Sequence, residues 1–522
     1  WHMGAGTRSG RLPERLALNK VECQRSRRGR RDRRATVVAV ARLVVIGAGV
    51  AGLGVALCAG RAGHEVVLVE RDDTPLPADP HGAFDWDRRG APQVRHSHAF
   101  LARLRNLLRD RHPDVLDALL DAGATPLDFI AMLPEGMDRS PMAGDEDLVA
   151  LACRRTTYEW VLRRVVTDGD APLATLLHGQ GVVGLRSAPG TDGPPTVTGV
   201  ELTDGTVLDA DLVVDASGRR SPLPRLVDAV GVEVPEQVED TGIVYYSRFF
   251  SLLDGAEYPD QLGPIGGDLD FLKFGVFRGD DRTFSVTLAV RSDDETLRRA
   301  LQDPATFLAV AGAIPATAAH VEADRAAPIT DVHVMASLLN RRRWFVDADG
   351  EPRVLGLHAV GDAHTCTNPL YGRGCSLAMV QAQLLADALD EHGTDHAARA
   401  VAYEAASRRE ITPWYAAAVA QDRMGRRAPG PEVEPDADPA GSADARELAR
   451  QLMRDGLFPA MRVDPVVLRA FLRMFNLLEP PDSLMKDADV IGRVMAVYQT
   501  RDERPPEAPM GPGRDTVLEL IA

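Results

Sequence analysis

One stretch constrains this chain more than any other: RLVVIGAGVAGLGVALCAGRAGHEVVLVE, residues 42–70. It reads as strand, tight turn, helix and strand. Leu43 to Ile46 make a buried strand, a helix runs to about Arg61, Gly63 ends it, and Glu65–Glu70 form the second strand. Gly47 permits the tight turn, Gly49 lets a pyrophosphate approach the backbone, and Gly52 lets the helix pack close to the strand. The helix start then offers unpaired N–H groups and a positive dipole end to that phosphate. Glu70 closes the second strand, where a carboxylate can accept hydrogen bonds from a ribose 2′-OH. The pattern predicts a dinucleotide site. It also explains an apolar run that superficially resembles a membrane span: from Ala35 to Gly60 the only charge is Arg42, but three glycines divide the run, and no transmembrane segment is expected.

Two further apolar segments end in glycine turns. VLDADLVVDASG (207–218) reads as one buried strand, and VLGLHAVGDA (354–363) as another, followed by a helix from about Cys375 to Leu389. The middle of the chain differs. GIVYYSRFFSLL (242–253), DFLKFGVFRG (270–279) and TFSVTLAVRS (283–292) alternate as antiparallel strands with one face covered. Positions 245–284 hold nine aromatics, a concentration that singles this sheet out in a chain with only 5% aromatic residues. Residues 428–444 read as an exposed Pro-rich acidic loop, 445–477 as helical, and the last twenty residues as irregular.

Charge divides the chain unevenly. Residues 1–42 carry twelve Arg or Lys against three acids, while the total is −16. The acidic body argues against a nucleic-acid partner, and residues 1–40 read as an unfolded basic leader. Five cysteines without CxxC spacing argue against a disulfide scaffold or a zinc ribbon and favour a cytoplasmic setting. His96 and His98 have no third ligand at suitable spacing, so no metal is expected.

The pattern GAGVAGLxxALxxxxAGHEVVLVE resembles the flavoprotein variant of the dinucleotide fold. LVVDASGRRS (212–221) and HAVGDAHTCTNPLYGRGCSLAMVQAQLLADAL (358–389) resemble the two downstream segments of the FAD-dependent monooxygenases, with the p-hydroxybenzoate hydroxylase-like fold. RRGAPQVRHSHAFLARLRNLL (88–108), LACRRTTYEWVLRRVV (151–166) and VEDTGIVYYSRFF (238–250) resemble segments of bacterial natural-product epoxidases and hydroxylases, including the polyether epoxidases. The resemblance implies an α/β fold: a Rossmann-type FAD-binding domain (41–240 and 341–395), an inserted antiparallel-sheet substrate domain (241–340) and a helical C-terminal region (396–522).

It also implies an FAD site made of Gly47, Gly49, Gly52, Glu70, Arg71, Arg95, Arg155, Asp215, Gly218, Asp362, Pro369, Gly372 and Gly374. Asp362 would bind the ribityl chain, Arg95 and Arg155 the pyrophosphate or ribityl region, and the helix after Gly374 would face the flavin N1–C2=O edge. The implied activity is monooxygenation: a flavin C4a-hydroperoxide passes one oxygen of O₂ to an alkene or aromatic ring of a hydrophobic natural product, such as a polyketide or terpenoid. No protein nucleophile is required. Tyr246, Phe250 and Phe274 are the expected lining of the substrate cavity. The chain has no second glycine fingerprint, so electrons would come from transiently docked NAD(P)H or from a separate flavin reductase. It has no WxWxIP segment, which argues against a typical flavin halogenase. The alternatives are an FAD-dependent reductase or dehydrogenase of a polyprenyl or polyketide substrate and, in another class, a non-catalytic prenyl-binding protein.

Overall fold

Leu43, Val44 and Val45 have no exposed surface, because their strand is the middle of a parallel sheet covered on both sides. The computed structural model describes residues 40–190, 193–259, 266–426, 448, 451–505 and 509–522. Apart from Val40, the basic leader lies outside the described residues, as does the loop 428–444. The sheet runs Leu357–Ala359, Leu212–Asp215, Arg42–Ile46, Glu65–Glu70, Thr175–His178, and every pair is parallel. Helix α1 (Val50–Arg61) follows the glycine turn. Helix α2 (Arg155–Thr167) and helix α3 (Gly374–His392) pack on it.

The segment 207–218 forms two strands rather than one. Val207–Asp209 joins a three-stranded antiparallel sheet, and Leu212–Asp215 enters the parallel one. The break falls at Ala210–Asp211, where the Asp211 carboxylate accepts the Arg42 N–H at 2.8 Å.

The second large sheet is antiparallel around its central pair, Ile243–Leu252 with Thr283–Arg291. Leu272–Arg278 continues it on one side, and Ala326–Pro328 and His333–Met335 on the other. Alternation places Phe284, Val286, Leu288 and Val290 together, packed against Phe307 and Val310 of the helix Pro304–Ala313. The opposite face is not solvated, contrary to the one-sided expectation: Ser285, Thr287 and Ala289 are buried as well. A three-stranded sheet, Glu236–Asp240 with Leu339–Arg343 and Thr365–Cys366, joins the two halves.

Helix α4 (Thr412–Arg426) and the helix Pro465–Phe475 follow. The chain end is helical over Arg514–Leu520, not irregular, because Val517 is buried in the core of the antiparallel sheet. Among the described residues no helix is long and apolar enough to cross a membrane.

Candidate functional site

The glycine turn is held from three sides. Gly47 has φ +97° and donates its N–H to Val69 O at 2.8 Å; a Cβ there would lie 2.9 Å from Ala216 O. A Cβ on Gly52 would lie 1.9 Å from Gly47 O, so α1 sits directly on the turn. Gly49 is different. It is the residue before α1, a Cβ on it would meet nothing within 4 Å, and the first turn has no acidic residue and no side-chain cap. The helix therefore presents free amides to open space.

Glu70 is 5% exposed and bound within the protein. Its carboxylate accepts Ala48 N–H at 3.0 Å, Asp72 N–H at 3.0 Å and Arg88 Nη2 at 3.2 Å. Arg88 also donates to Asp72 and to Glu159, at 3.0 and 2.7 Å, and to Ala48 O at 3.3 Å. Arg163 donates to the same carbonyl at 3.4 Å. Both guanidinium groups lie over the Trp86 ring. Arg88, Glu159 and Arg163 are the residues sequence reading missed. The signal was available on α2, where Arg155, Glu159 and Arg163 recur at i, i+4 and i+8 on one face. Glu159 has no exposed surface; burial alone would push its carboxyl up, but Arg88 and Arg155 bring it down to about 2.

The second glycine turn meets the first. A Cβ on Gly361 would lie 2.8 Å from Ala51 Cβ, so the Asp362 turn rests on the start of α1. Burial raises the Asp362 carboxyl above its ordinary value, opposed by Arg219, Arg155 and Arg341. Pro369 is exposed, Gly372 has φ +64° and Gly374 is open. Helix α3 starts there, also without an acid or a side-chain cap in its first turn. Arg155 reaches this helix. It donates to Glu159 at 2.8 Å and approaches Cys375 Sγ at 3.8 Å and His98 Nε2 at 3.5 Å. Its Nε is buried without a partner.

His98 places its Nδ1 3.0 Å from His96 O, so Nδ1 carries the proton and Nε2 faces Arg155 as an acceptor. Burial lowers both His96 and His98 to about 3, which keeps them neutral. Burial also pushes the Cys375 thiol up, away from thiolate.

Asp215 spends its carboxylate on its own loop. It accepts Ser217 N–H at 2.9 Å, Ser217 Oγ at 2.5 Å and Ser221 Oγ at 2.5 Å. That loop packs Ser217 Cα against Gly47 and leaves the space above Gly218 open. Arg71 is exposed at the end of its strand. Arg95 closes a short turn, where its charge acts on His333 of the antiparallel sheet.

The expected cavity residues need correction. Tyr246, Phe250 and Phe274 all face the core of the antiparallel sheet, with Phe284 and Leu288. Their neighbours one residue away face the segments around Phe84, His96 and Asn368 instead. Tyr245 donates to Asn368 at 2.6 Å, Ser247 Oγ lies 3.1 Å from His96 Nδ1, and Phe249 packs on Phe84. Ser97 lies 2.7 Å from Ser285 Oγ and 2.6 Å from Thr287 Oγ1, so this face is rich in hydroxyls. Phe250→Ala is accordingly expected to cost about 3–5 kcal/mol of stability through a core cavity. Chemical denaturation measures that loss, while FAD affinity of the folded protein, read by fluorescence quenching, should stay unchanged.

The residues present fit FAD. Two uncapped helix starts, open backbone at Gly49, Gly218 and Gly374, and the unpaired Arg155 Nε suit an extended anionic dinucleotide. No cluster of metal-ligating side chains occurs among the described residues.

No protein-family model matches the sequence, and no curated protein matches it. Solved structures do. PqsL from Pseudomonas aeruginosa, described as a probable FAD-dependent monooxygenase, is 17% identical over 73% of this chain and 94% of its own, with a TM-score of 0.51. The flavin-dependent brominase Bmp2 is 15% identical over 89% of this chain and 100% of its own, with a TM-score of 0.55. PyrE3, a Diels-Alderase in the biosynthetic pathway of pyrroindomycins, is 17% identical over 84% of this chain and 80% of its own, with a TM-score of 0.51. The chain has the fold that FAD-dependent monooxygenases and flavin-dependent halogenases share.

Proposed function

We propose that this chain is an FAD-dependent monooxygenase acting on a hydrophobic natural product by epoxidation or hydroxylation. The observation that carries the reading is the presence of two uncapped helix starts, α1 and α3, with Arg155 beside the start of α3 and the Asp362 turn against the start of α1. Gly49 and the α1 amides would hold the pyrophosphate, with Arg88 and Arg163 behind the turn. Asp362 would accept the ribityl hydroxyls. The α3 amides would face the ring, where a positive helix end favours the reduced, anionic form. When bound, FAD supplies the two-electron activation of O₂ from which one oxygen atom reaches the substrate.

The protein's own residues position and exclude. Tyr245, Ser247, Thr287 and the 96–98 strap would wall the substrate side, with residues 241–340 as the substrate domain. His96 and His98, neutral at ordinary pH, serve as hydrogen-bonding supports and not as acids. NAD(P)H or a separate flavin reductase would supply electrons. The fold also accommodates a brominase and a Diels-Alderase, so chemistry must decide.

The test offers reduced holoenzyme a panel of apolar alkenes and phenols under ¹⁸O₂. The expected product carries one ¹⁸O atom. Turnover that persists without O₂ overturns the reading, and deuteride transferred from labelled reductant into product carbon identifies a reductase instead.

A further inference from the structure

Every other buried arginine among the described residues has an oxygen acceptor for its guanidinium; that of Arg373 makes no hydrogen bond and no ion pair. It is 3% exposed, and its Nε and Nη1 are enclosed without an acceptor. Two rings flank it. Its guanidinium carbon lies 4.6 Å from the centroid of Tyr371 and 4.8 Å from that of Trp414 on α4. Such contacts favour a cation over the ring faces but leave its in-plane N–H groups unsatisfied.

The nearby acid is held elsewhere. Asp422 on α4 accepts Asn340 Nδ2 at 2.6 Å on one oxygen and Asn368 Nδ2 at 2.7 Å on the other. Both carboxamides are fixed in orientation, since a carboxylate cannot donate. Asn340 Oδ1 takes the Asn368 N–H at 2.8 Å, and Asn368 Oδ1 takes Tyr245 OH at 2.6 Å and the Leu370 N–H at 3.0 Å. Asp422 thus pins the Asn368–Gly372 turn, while Arg373 lies enclosed beside it. Burial lowers Arg373 to about 10, opposed by the nearby Tyr371 and Asp422.

We propose that Arg373 is the anchor for a carboxylate carried by the substrate. This rests on the oxygenase reading of the same site. Arg373 immediately precedes Gly374, the exposed first residue of α3, so a carboxylate bound there tethers a substrate beside the ring position. A flat monoanion accepts two in-plane N–H bonds from one guanidinium. A phosphate dianion would suffer more from the Asp422 charge. Tyr371 and Trp414 add apolar walls for the body of the acid.

The experiment follows the melting of the full-length holoenzyme with benzoate, and with benzamide as the neutral isostere. Benzoate is expected to raise the melting temperature saturably with a Kd of about 1–10 mM, and benzamide is not. R373M should lose the benzoate response, melt no lower than wild type without ligand, and keep its FAD affinity within about threefold. R373K should keep the response but bind benzoate about tenfold more weakly. The proposal is overturned if wild type does not respond, if R373M responds like wild type, or if R373M loses FAD, which would assign the charge to the cofactor. If R373M does not fold, an unweakened benzoate response in R373K overturns it. An intact benzoate response in an enzyme that needs no O₂ would instead sink the oxygenase reading and leave the carboxylate site standing.

Discussion

Gly52→Ala is expected to destabilise the nucleotide-binding half by about 3 kcal/mol, and Gly49→Ala hardly at all. The two glycines lie three residues apart but meet different obstacles. The added Cβ at position 52 would sit 1.9 Å from Gly47 O and 3.0 Å from Gly47 C, both backbone atoms of a turn that is itself pressed on Ala216. Nothing there can rotate away, so the helix must lift from the strand. The added Cβ at position 49 meets open space, and the backbone there is extended with φ −83°. That space is where a pyrophosphate has to approach the α1 amides. Gly49→Ala should therefore weaken FAD binding about a hundredfold, or ~2.8 kcal/mol, with an unchanged melting curve for the apoprotein. Thermal melts and fluorescence quenching of FAD separate the two effects. Equal losses of stability in both variants would show that the turn is packed differently.

The second large effect belongs to Glu159. Its carboxylate is fully buried and bound to Arg88 at 2.7 Å and Arg155 at 2.8 Å. Its pKa falls from 4.5 to about 2 on folding. A folded pKa below the unfolded one gives stability that is present above the unfolded value and lost as pH falls through the folded one. The shift is worth about 3 kcal/mol at neutral pH, lost between about pH 4.5 and pH 2. Glu159→Gln keeps the shape but leaves Arg88 and Arg155 without the charge between them. It should cost about 3 kcal/mol at pH 7 and flatten the acid limb of the stability curve. Urea denaturation at a series of pH values measures both. A parallel acid limb in the variant would remove Glu159 from the account.

How much of this was legible in the sequence depended on what each residue answers to. Gly47, Gly52 and Gly372 answer to backbone geometry that few other residues satisfy, so their spacing alone located both turns. The antiparallel sheet was legible from alternation, but alternation fixes two faces without saying which one a neighbour covers. Tyr246, Phe250 and Phe274 were the expected cavity lining, yet their rings lie in the core; Tyr245, Ser247 and Thr287 took the other face. Asp215 was expected in the FAD site from the resemblance of its segment, and Ser217 and Ser221 supply donors to its carboxylate within six residues. The isolation of Arg373 was not legible at all. It depends on Asp422, far along the chain, being held by Asn340 and Asn368.

The central claim is that the two glycine turns form one FAD site, and titration of the purified chain with FAD tests it most directly. The account predicts uptake of about one FAD per chain with a Kd near or below 1 µM, a perturbed flavin absorption band and quenched fluorescence. A chain that stays colourless and leaves FAD fluorescence unchanged would contradict it.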